Sequence, residues 1–262
     1  MEHDRPDLGA RGVVALLTPA ENPTAEPELS LLMPPDVNLL TARMYAPASE
    51  MSARLRAYET RLEEWLAPFG DAPLDAVAFA CTGSTYLLGP SRRRPEALER
   101  RHGPCPVVCA ADALKDGLQS LRAQRITLVS PYPSALTEAA QDHWRAAGYD
   151  VAAVIQSPLA HGAAHPIYGQ TAATLLTGLR QGLKAGVADA VIVMGTGAPS
   201  LAALAVASEE TDIPILSSNL ATAWSVARHL GLEERPLITE WLAPTLPGAN
   251  GYGAVSPPFT PG

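Results

Sequence analysis

One stretch of the sequence occurs twice and constrains the fold more than any other feature. The first copy runs from Asp75 to Ser84 (DAVAFACTGS) and the second from Asp189 to Ala198 (DAVIVMGTGA). Each copy is an acidic residue, a short apolar run with β-branched members, and a turn of small residues. The apolar run predicts a buried strand and the turn predicts its exit, so the chain contains the same strand-and-turn unit twice.

Two further pairs of segments match at nearly the same spacing, which predicts an internal duplication. An apolar strand that ends in a hydroxyl residue and proline occurs at 14–19 and again at 127–131, and a short strand preceded by proline occurs at 106–111 and again at 214–219. Strands alternate with helical patterns along the chain, as in α/β folds with parallel sheets. We therefore expect two similar α/β halves whose strands end at a shared, ligand-binding cleft.

The duplication also suggests how the chain is divided. We place the first half at 12–115 together with 215–245, and the second half at 116–214. We expect 1–11 and 246–262 to be flexible or to wrap around the surface, because the first is polar and the second is rich in proline and glycine.

Helical spacing of apolar residues predicts one long amphipathic helix at 51–69 and another helix at 169–186. The charged segment at 91–101 predicts a solvated helix face or loop.

Composition and motifs argue against several classes of function. The net charge is −8, and phosphate binding needs a basic face, so we expect no nucleic acid partner. No apolar run is long enough to cross a bilayer and the N-terminus lacks an apolar signal region, so we expect a cytoplasmic protein with no membrane partner. Metal, nucleotide and serine-hydrolase motifs are missing, and we expect no cofactor.

Cys81 is the strongest candidate for chemistry because it directly follows a predicted strand. The next residues, Thr82, Gly83 and Ser84, offer backbone N–H groups and hydroxyls that can hold a carboxylate beside a thiolate. The alternative is that Cys81 is a buried packing residue, which is what we expect of the other two cysteines, Cys105 and Cys109. The odd cysteine count, without a secretory signal, argues against a disulfide framework.

Other strand exits supply further candidates. The turn Gly195–Gly197 offers backbone N–H groups that suit a carboxylate but no acid or base, although it could equally be an ordinary glycine turn. Tyr132 follows Pro131 at the exit of another predicted strand and could donate its hydroxyl into the cleft. Asn22 is by default a polar loop residue.

These residues together resemble the aspartate/glutamate racemase superfamily, and within it the maleate cis–trans isomerase and arylmalonate decarboxylase branch. The similarity covers residues 12–231. It is carried by Thr18–Pro19, the Asn22-x-Thr24-x-Glu26-x-Glu28 stretch, Cys81–Thr82, Tyr132, and Ser217–Asn219 with Trp224. The Asn22 stretch is the most specific part and favours the maleate isomerase side.

The resemblance implies a cofactor-independent enzyme with two flavodoxin-like halves related by pseudo-twofold symmetry and an active site in the cleft between them. It implies that Cys81 is a catalytic cysteine, that Asn22 binds a substrate carboxylate, and that Tyr132 belongs to the carboxylate pocket and is catalytic. Gly195 stands where two-thiol members have a second cysteine, and a further asparagine of maleate isomerases falls near His165. Relatives commonly form homo-oligomers, so this chain is a possible homo-oligomer.

The absence of a second thiol at Gly195 decides which reactions the site can support. Racemisation by two bases needs a group on each face of the carbon and is disfavoured. Cis–trans isomerisation needs one nucleophile, and decarboxylation of a substituted malonate needs one proton donor. We therefore expect a maleate isomerase-like enzyme that acts on a small dicarboxylate, with Cys81 as nucleophile. The alternatives are an arylmalonate-type decarboxylase with Cys81 as single-face proton donor, and a non-catalytic carboxylate-binding protein. The candidate substrate-binding residues are Thr18, Asn22, Thr82, Gly83, Ser84, His165, Gly195, Thr196 and Gly197.

Overall fold

Two four-stranded parallel sheets form the core of the protein. The computed structural model describes residues 9–89, 105–158, 166–186 and 188–232. The first sheet contains β1 (Gly12–Pro19), β2 (Val37–Met44), β3 (Ala76–Phe79) and β4 (Val107–Cys109), and the second contains β5 (Arg125–Ser130), β6 (Asp150–Gln156), β7 (Ala190–Val193) and β8 (Ile215–Ser217). The strand orders are β2-β1-β3-β4 and β6-β5-β7-β8, which are the same topology used twice. The expected α/β fold with two similar parallel-sheet halves is confirmed.

The strand registers follow the internal duplication. Val14 of β1 pairs with Ala76 of β3, and Ile126 of β5 pairs with Ala190 of β7 in the same way. The central strands β1, β3 and β7 are buried along their whole length, as expected when helices cover both faces of a parallel sheet.

The acidic residue that opens each repeated stretch has the same structural role in both halves. A carboxylate oxygen of Asp75 accepts the backbone N–H of Val13 at 2.8 Å. A carboxylate oxygen of Asp189 accepts the backbone N–H groups of Gln124 and Arg125 at 2.8 and 2.7 Å. Each carboxylate therefore ties the start of the third strand of its half to the start of the first.

Nine α-helices lie in the described part of the chain. They are α1 (Ala25–Leu32), α2 (Met51–Thr60), α3 (Leu62–Leu66), α4 (Thr82–Leu88), α5 (Ala110–Ser120), α6 (Ser134–Ala146), α7 (Ala172–Lys184), α8 (Leu201–Ser208) and α9 (Ser218–His229). Short 3₁₀ turns occupy Ala67–Phe69 and Pro166–Gly169. No helix within the described ranges combines the length and the apolar character needed to cross a bilayer.

The single helix expected at 51–69 is wrong, because the chain leaves helical geometry at Arg61, with φ −113° and ψ 31°. The break lets α2 pack against α4 while α3 packs against β1 and β2. The helix expected at 169–186 begins later, at Ala172, because the Thr171 hydroxyl accepts the backbone N–H of Thr174 and caps it there. The charged segment at 91–101 lies outside the described residues.

The expected division of the chain is wrong for the strand at 215–217. Ile215 pairs with Val191, so β8 belongs to the second sheet and not to the first half. Helix α9 comes directly after it and packs against α5 and against β3 of the first sheet. The chain therefore crosses between the halves after β8, about three residues later than expected, since so short a strand carries little sequence signal. Residues 233–245 lie outside the described ranges.

Candidate active site

A cavity of about 280 Å³ lies where strands of both halves end. Pro19, Cys81, Tyr132 and Thr196, which stand at or just after the ends of β1, β3, β5 and β7, all line it. Ligands of open parallel sheets bind at this edge, where loops leave the carboxyl ends of the strands. The duplication thus brings four strand exits, two from each half, to one cavity.

Cys81 lies in the wall of this cavity and is the residue from which α4 begins. Its backbone is extended, with φ −145° and ψ 91°, and its side chain is almost fully buried. Thr82 and Gly83, in the first turn of α4, line the same cavity. Gly83 is tightly packed, because a Cβ atom at this position would lie 3.3 Å from a methyl group of Leu136.

The other two cysteines are buried and do not line the cavity. The Cys109 sulfur lies 3.6 Å from the Thr85 hydroxyl. Burial, together with the nearby Asp75 carboxylate, raises the pKa of the Cys105 thiol to about 12. Thiols of this kind pack as small apolar groups and are poor nucleophiles, as we expected of this pair.

Tyr132 faces Cys81 from the second half. Its hydroxyl lies 2.6 Å from the Thr82 hydroxyl, and its backbone carbonyl accepts a hydrogen bond from Nε2 of Gln156 at 2.8 Å. Burial, followed by the neighbouring Tyr86, raises the pKa of the Tyr132 phenol well above its ordinary value. The phenol therefore keeps its proton at neutral pH and is able to donate a hydrogen bond.

Two more tyrosines line the cavity and were missed in the sequence. Burial, followed by the charge of Cys81, raises the pKa of Tyr58 to about 12 and that of Tyr168 still further. Three phenol groups thus surround the thiol. Tyr58 has the helical spacing of a core residue, and Tyr168 lies in a short turn with no regular pattern, so neither stands out in the sequence.

The second repeated turn has no room for a side chain at Gly195. The residue has φ +88°, which favours glycine, and an added Cβ atom would lie 2.9 Å from Ile167, 3.0 Å from Pro131 and 3.2 Å from the Tyr132 hydroxyl. The two turns also lead into their helices differently, because α4 begins directly after Cys81 whereas α8 begins only at Leu201. The asymmetry therefore extends from the missing thiol to the backbone and its neighbours.

Thr196 connects the two turns across the cleft. Its hydroxyl donates to the backbone carbonyl of Ala80 at 2.8 Å and accepts a hydrogen bond from Nδ2 of Asn22 at 3.1 Å. The Thr24 hydroxyl donates to the carbonyl of Gly197 at 2.9 Å. Both Thr196 and Gly197 line the cavity, so this network sets the position of one of its walls.

Two residues predicted to bind substrate, Asn22 and Ser84, make hydrogen bonds within the protein. Oδ1 of Asn22 accepts the backbone N–H groups of Thr24 and Ala25 at 2.9 and 3.0 Å, and its amide holds Thr196. The Ser84 hydroxyl donates to the Cys81 carbonyl at 3.0 Å.

Asn22, Ser84, Thr18 and Gly195 do not line the cavity. The Thr18 hydroxyl is fully buried and has no hydrogen-bond partner among the residues that the structure describes. His165 lies outside the described residues. The predicted site residues that do line the cavity are Cys81, Thr82, Gly83, Tyr132, Thr196 and Gly197.

A buried carboxylate supports the glycine turn from behind. Glu28 accepts hydrogen bonds from the hydroxyl of Ser200 at 2.7 Å, from the backbone N–H of Leu201 at 2.9 Å and from Nδ2 of Asn219 at 2.8 Å. Asn219 also donates to the carbonyl of Thr196 at 3.1 Å. Burial raises the pKa of Glu28, and the hydrogen bonds oppose this shift.

The protein thus consists of two similar α/β halves, and a cysteine at the end of one strand lies in the cleft between them. These features define a class of cysteine-containing enzymes with a duplicated α/β fold. The sequence profile of the arylmalonate decarboxylase family matches residues 69–240, and the chain belongs to this family.

The relatives that match nearly the whole chain are maleate isomerases. A maleate isomerase of Geobacillus stearothermophilus is 24% identical over 234 residues, which is 84% of this chain and 92% of the relative. The crystal structure of a Pseudomonas putida maleate isomerase superposes with a TM-score of 0.74 at 23% identity and covers 90% of this chain and 99% of its own. A Nocardia farcinica maleate cis–trans isomerase variant, with one cysteine replaced by serine and a covalently bound succinylcysteine intermediate, has a TM-score of 0.70 at 23% identity and covers 84% of this chain and 93% of its own. The resemblance found in the sequence is confirmed.

Proposed function

We propose that the protein is a cysteine-dependent enzyme that interconverts maleate, or a similar cis dicarboxylate, and its trans isomer, with Cys81 as nucleophile. One observation carries the proposal: Cys81 is the one thiol that reaches the cavity between the halves in the described part of the chain, and three protonated tyrosines surround it. The maleate isomerase relatives support the same substrate class.

The reaction needs one nucleophile and no net proton transfer. The Cys81 thiolate adds to one alkene carbon, so a C–S bond forms and the π electrons move onto the neighbouring carboxylate as an enediolate. The former double bond is now single and rotates. The electron pair then returns, the C–S bond breaks, and the trans diacid and the thiolate are released.

The surrounding hydrogen-bond donors fit the charge that develops in this adduct. The Tyr132 phenol is protonated and buried beside Thr82, and the Thr196–Gly197 turn lines the same cavity. Hydrogen-bond donors that are already in position stabilise the enediolate more than they stabilise the starting diacid, because the extra negative charge develops next to them. Tyr132 therefore acts as the catalytic donor, and the two turns bind the carboxylate on which charge develops.

The absence of a second thiol at Gly195 is compatible with this chemistry. In the Nocardia farcinica variant, an adduct with substrate carbon is present on a cysteine although another cysteine has been replaced by serine. By analogy, Cys81 alone is enough to form the corresponding adduct in this chain.

The direct test monitors maleate by proton NMR, because the alkene protons of maleate and fumarate have separate signals. We expect wild type to convert maleate into fumarate and Cys81→Ser to be inactive. Cys109→Ser is the matched control, since it changes an equally buried thiol away from the cavity, and it should retain activity. No turnover of any cis dicarboxylate by a folded wild-type protein would overturn the proposal.

A second candidate is decarboxylation of an aryl- or alkyl-substituted malonate, with Cys81 as the single proton donor. The observation that favours it is the apolar wall of the cavity, formed by Met51, Leu55, Leu136 and Ile167. Release of CO₂ from phenylmalonate in D₂O, with deuterium on one face of the product, would select this reaction. Binding of either diacid without turnover would instead favour a non-catalytic carboxylate-binding protein.

A further inference from the structure

Helix α2 presents one face to the cavity. Met51, Arg54, Leu55 and Tyr58 all line it, at the spacing of neighbours on one side of a helix. This is a wall that the repeated turns do not provide, since α2 comes after β2 and has no part in either copy of the repeated stretch. Among the described residues, α2 therefore adds a cation, Arg54, to a cavity that Leu136 and Ile167 also line.

Arg54 is half-buried, whereas Glu21, the other charged residue among the described residues that line the cavity, is exposed. An Nη1 atom of Arg54 lies 3.5 Å from the Ala48 carbonyl, at the long limit for a hydrogen bond. Burial raises the pKa values of Tyr58 and Tyr168, the charge of Cys81 adds to the rise, and the guanidinium of Arg54 opposes it. Arg54 and Cys81 therefore lie near the same two phenols in one cavity.

A guanidinium in this position suits an anion, because arginine binds carboxylates through two parallel N–H donors and keeps its charge at any accessible pH. The strand exits already offer hydroxyls and backbone N–H groups near Cys81, which suit the carboxylate on which charge develops. The second carboxylate of a four-carbon diacid held at Cys81 would meet Arg54, which lines the same cavity.

We propose that Arg54 binds the second carboxylate of the substrate and makes the enzyme select dianions over monoanions. This inference rests on the proposed function and specifies the far end of the same site. It assigns Arg54 to substrate selection rather than to the chemical step, because the new bond forms to the sulfur of Cys81. Its removal should therefore act on KM and leave kcat nearly unchanged.

The test compares maleate with its half-amide, maleamate, which has the same shape and one negative charge fewer. Arg54→Gln should raise KM for maleate about tenfold or more, the effect of losing a charge-assisted hydrogen bond, with kcat changed less than about threefold. KM for maleamate should barely change, so the preference for the dianion collapses. Arg54→Lys should recover part of it. Arg56→Gln is the matched control, because Arg56 is exposed on the same helix and does not line the cavity.

Two results would overturn the inference while the proposed function stands: an unchanged KM for maleate in Arg54→Gln, or an equal rise in KM for both substrates. A fall in kcat with KM unchanged would also contradict it.

If wild type turns over no diacid, the proposed function fails separately, and calorimetric titration with maleate still decides the inference. Weaker binding to Arg54→Gln than to Arg56→Gln supports it, and equal or undetectable binding to wild type and both variants overturns it.

Discussion

The hydroxyl of Thr196 donates a hydrogen bond to the backbone carbonyl of Ala80, 2.8 Å away in the other half of the molecule. Ala80 directly precedes Cys81, and Thr196 is the central residue of the glycine turn. One buried bond thus fixes the two repeated turns to each other across the cleft. The duplicated fold therefore fixes the position of Cys81 relative to the glycine turn of the other half.

Gly195 gives a prediction about stability. Gly195→Ala should lower the free energy of unfolding by about 1–2 kcal/mol for the left-handed backbone, with a further ~1–3 kcal/mol for crowding against Ile167 and Pro131. Gly148→Ala is the matched control, because Gly148 has a similar φ of +95° and open space around it, so only the first cost applies. Urea unfolding measures both, and equal losses would show that the turn relaxes to admit a side chain.

Tyr132 gives a prediction about catalysis. Tyr132→Phe removes one fixed donor to the enediolate and should lower kcat for maleate by about 10²–10³-fold, as the loss of an oxyanion donor does. Tyr86→Phe is the control, because the Tyr86 ring packs edge-on against Tyr132 but its hydroxyl does not line the cavity. Steady-state kinetics should separate the two, and a kcat for Tyr132→Phe close to that of Tyr86→Phe would remove Tyr132 from the mechanism.

Glu28 gives a prediction with a pH dependence. Glu28→Gln places an amide against the amide of Asn219 and should lower the free energy of unfolding by about 1–3 kcal/mol. Burial raises the folded-state pKa of Glu28 above the ordinary 4.5, so the folded protein holds this proton more tightly than the unfolded chain. The stability that Glu28 contributes is thus complete below pH 4.5 and is lost as pH rises through the raised pKa.

The stability difference between wild type and Glu28→Gln should therefore narrow as pH rises. Urea unfolding of both proteins between about pH 4 and about pH 8 measures it, and a common buffer series cancels all other titrating groups. A difference that widens with pH would mean that the hydrogen bonds from Ser200, Leu201 and Asn219 outweigh burial.

The sequence reveals features whose signal is local. The two copies of the strand-and-turn stretch each lie within ten residues, and they led to the duplicated parallel sheets and to Cys81 and Gly195. In the sequence, Asp75 and Asp189 only mark where a strand begins. In the structure, their carboxylates link neighbouring strands in the same way in both halves.

The contacts that shape the cavity from a distance do not show in the sequence. Glu28 and Ser200 are 172 residues apart in the chain, and no periodicity links them. Tyr58 and Arg54 lie in a helix whose spacing predicts only an apolar face, because the sequence does not say what covers that face. The binding roles of Thr18 and Asn22, and the possible homo-oligomer, remain predictions.

The most direct measurement of the central claim is mass spectrometry of the protein quenched in acid during turnover of maleate, with peptide mapping of the product. We predict a mass increase of one substrate molecule, located on the peptide that contains Cys81 and absent from Cys81→Ser. An adduct on Cys105 or Cys109, or turnover that continues in Cys81→Ser, would contradict the account.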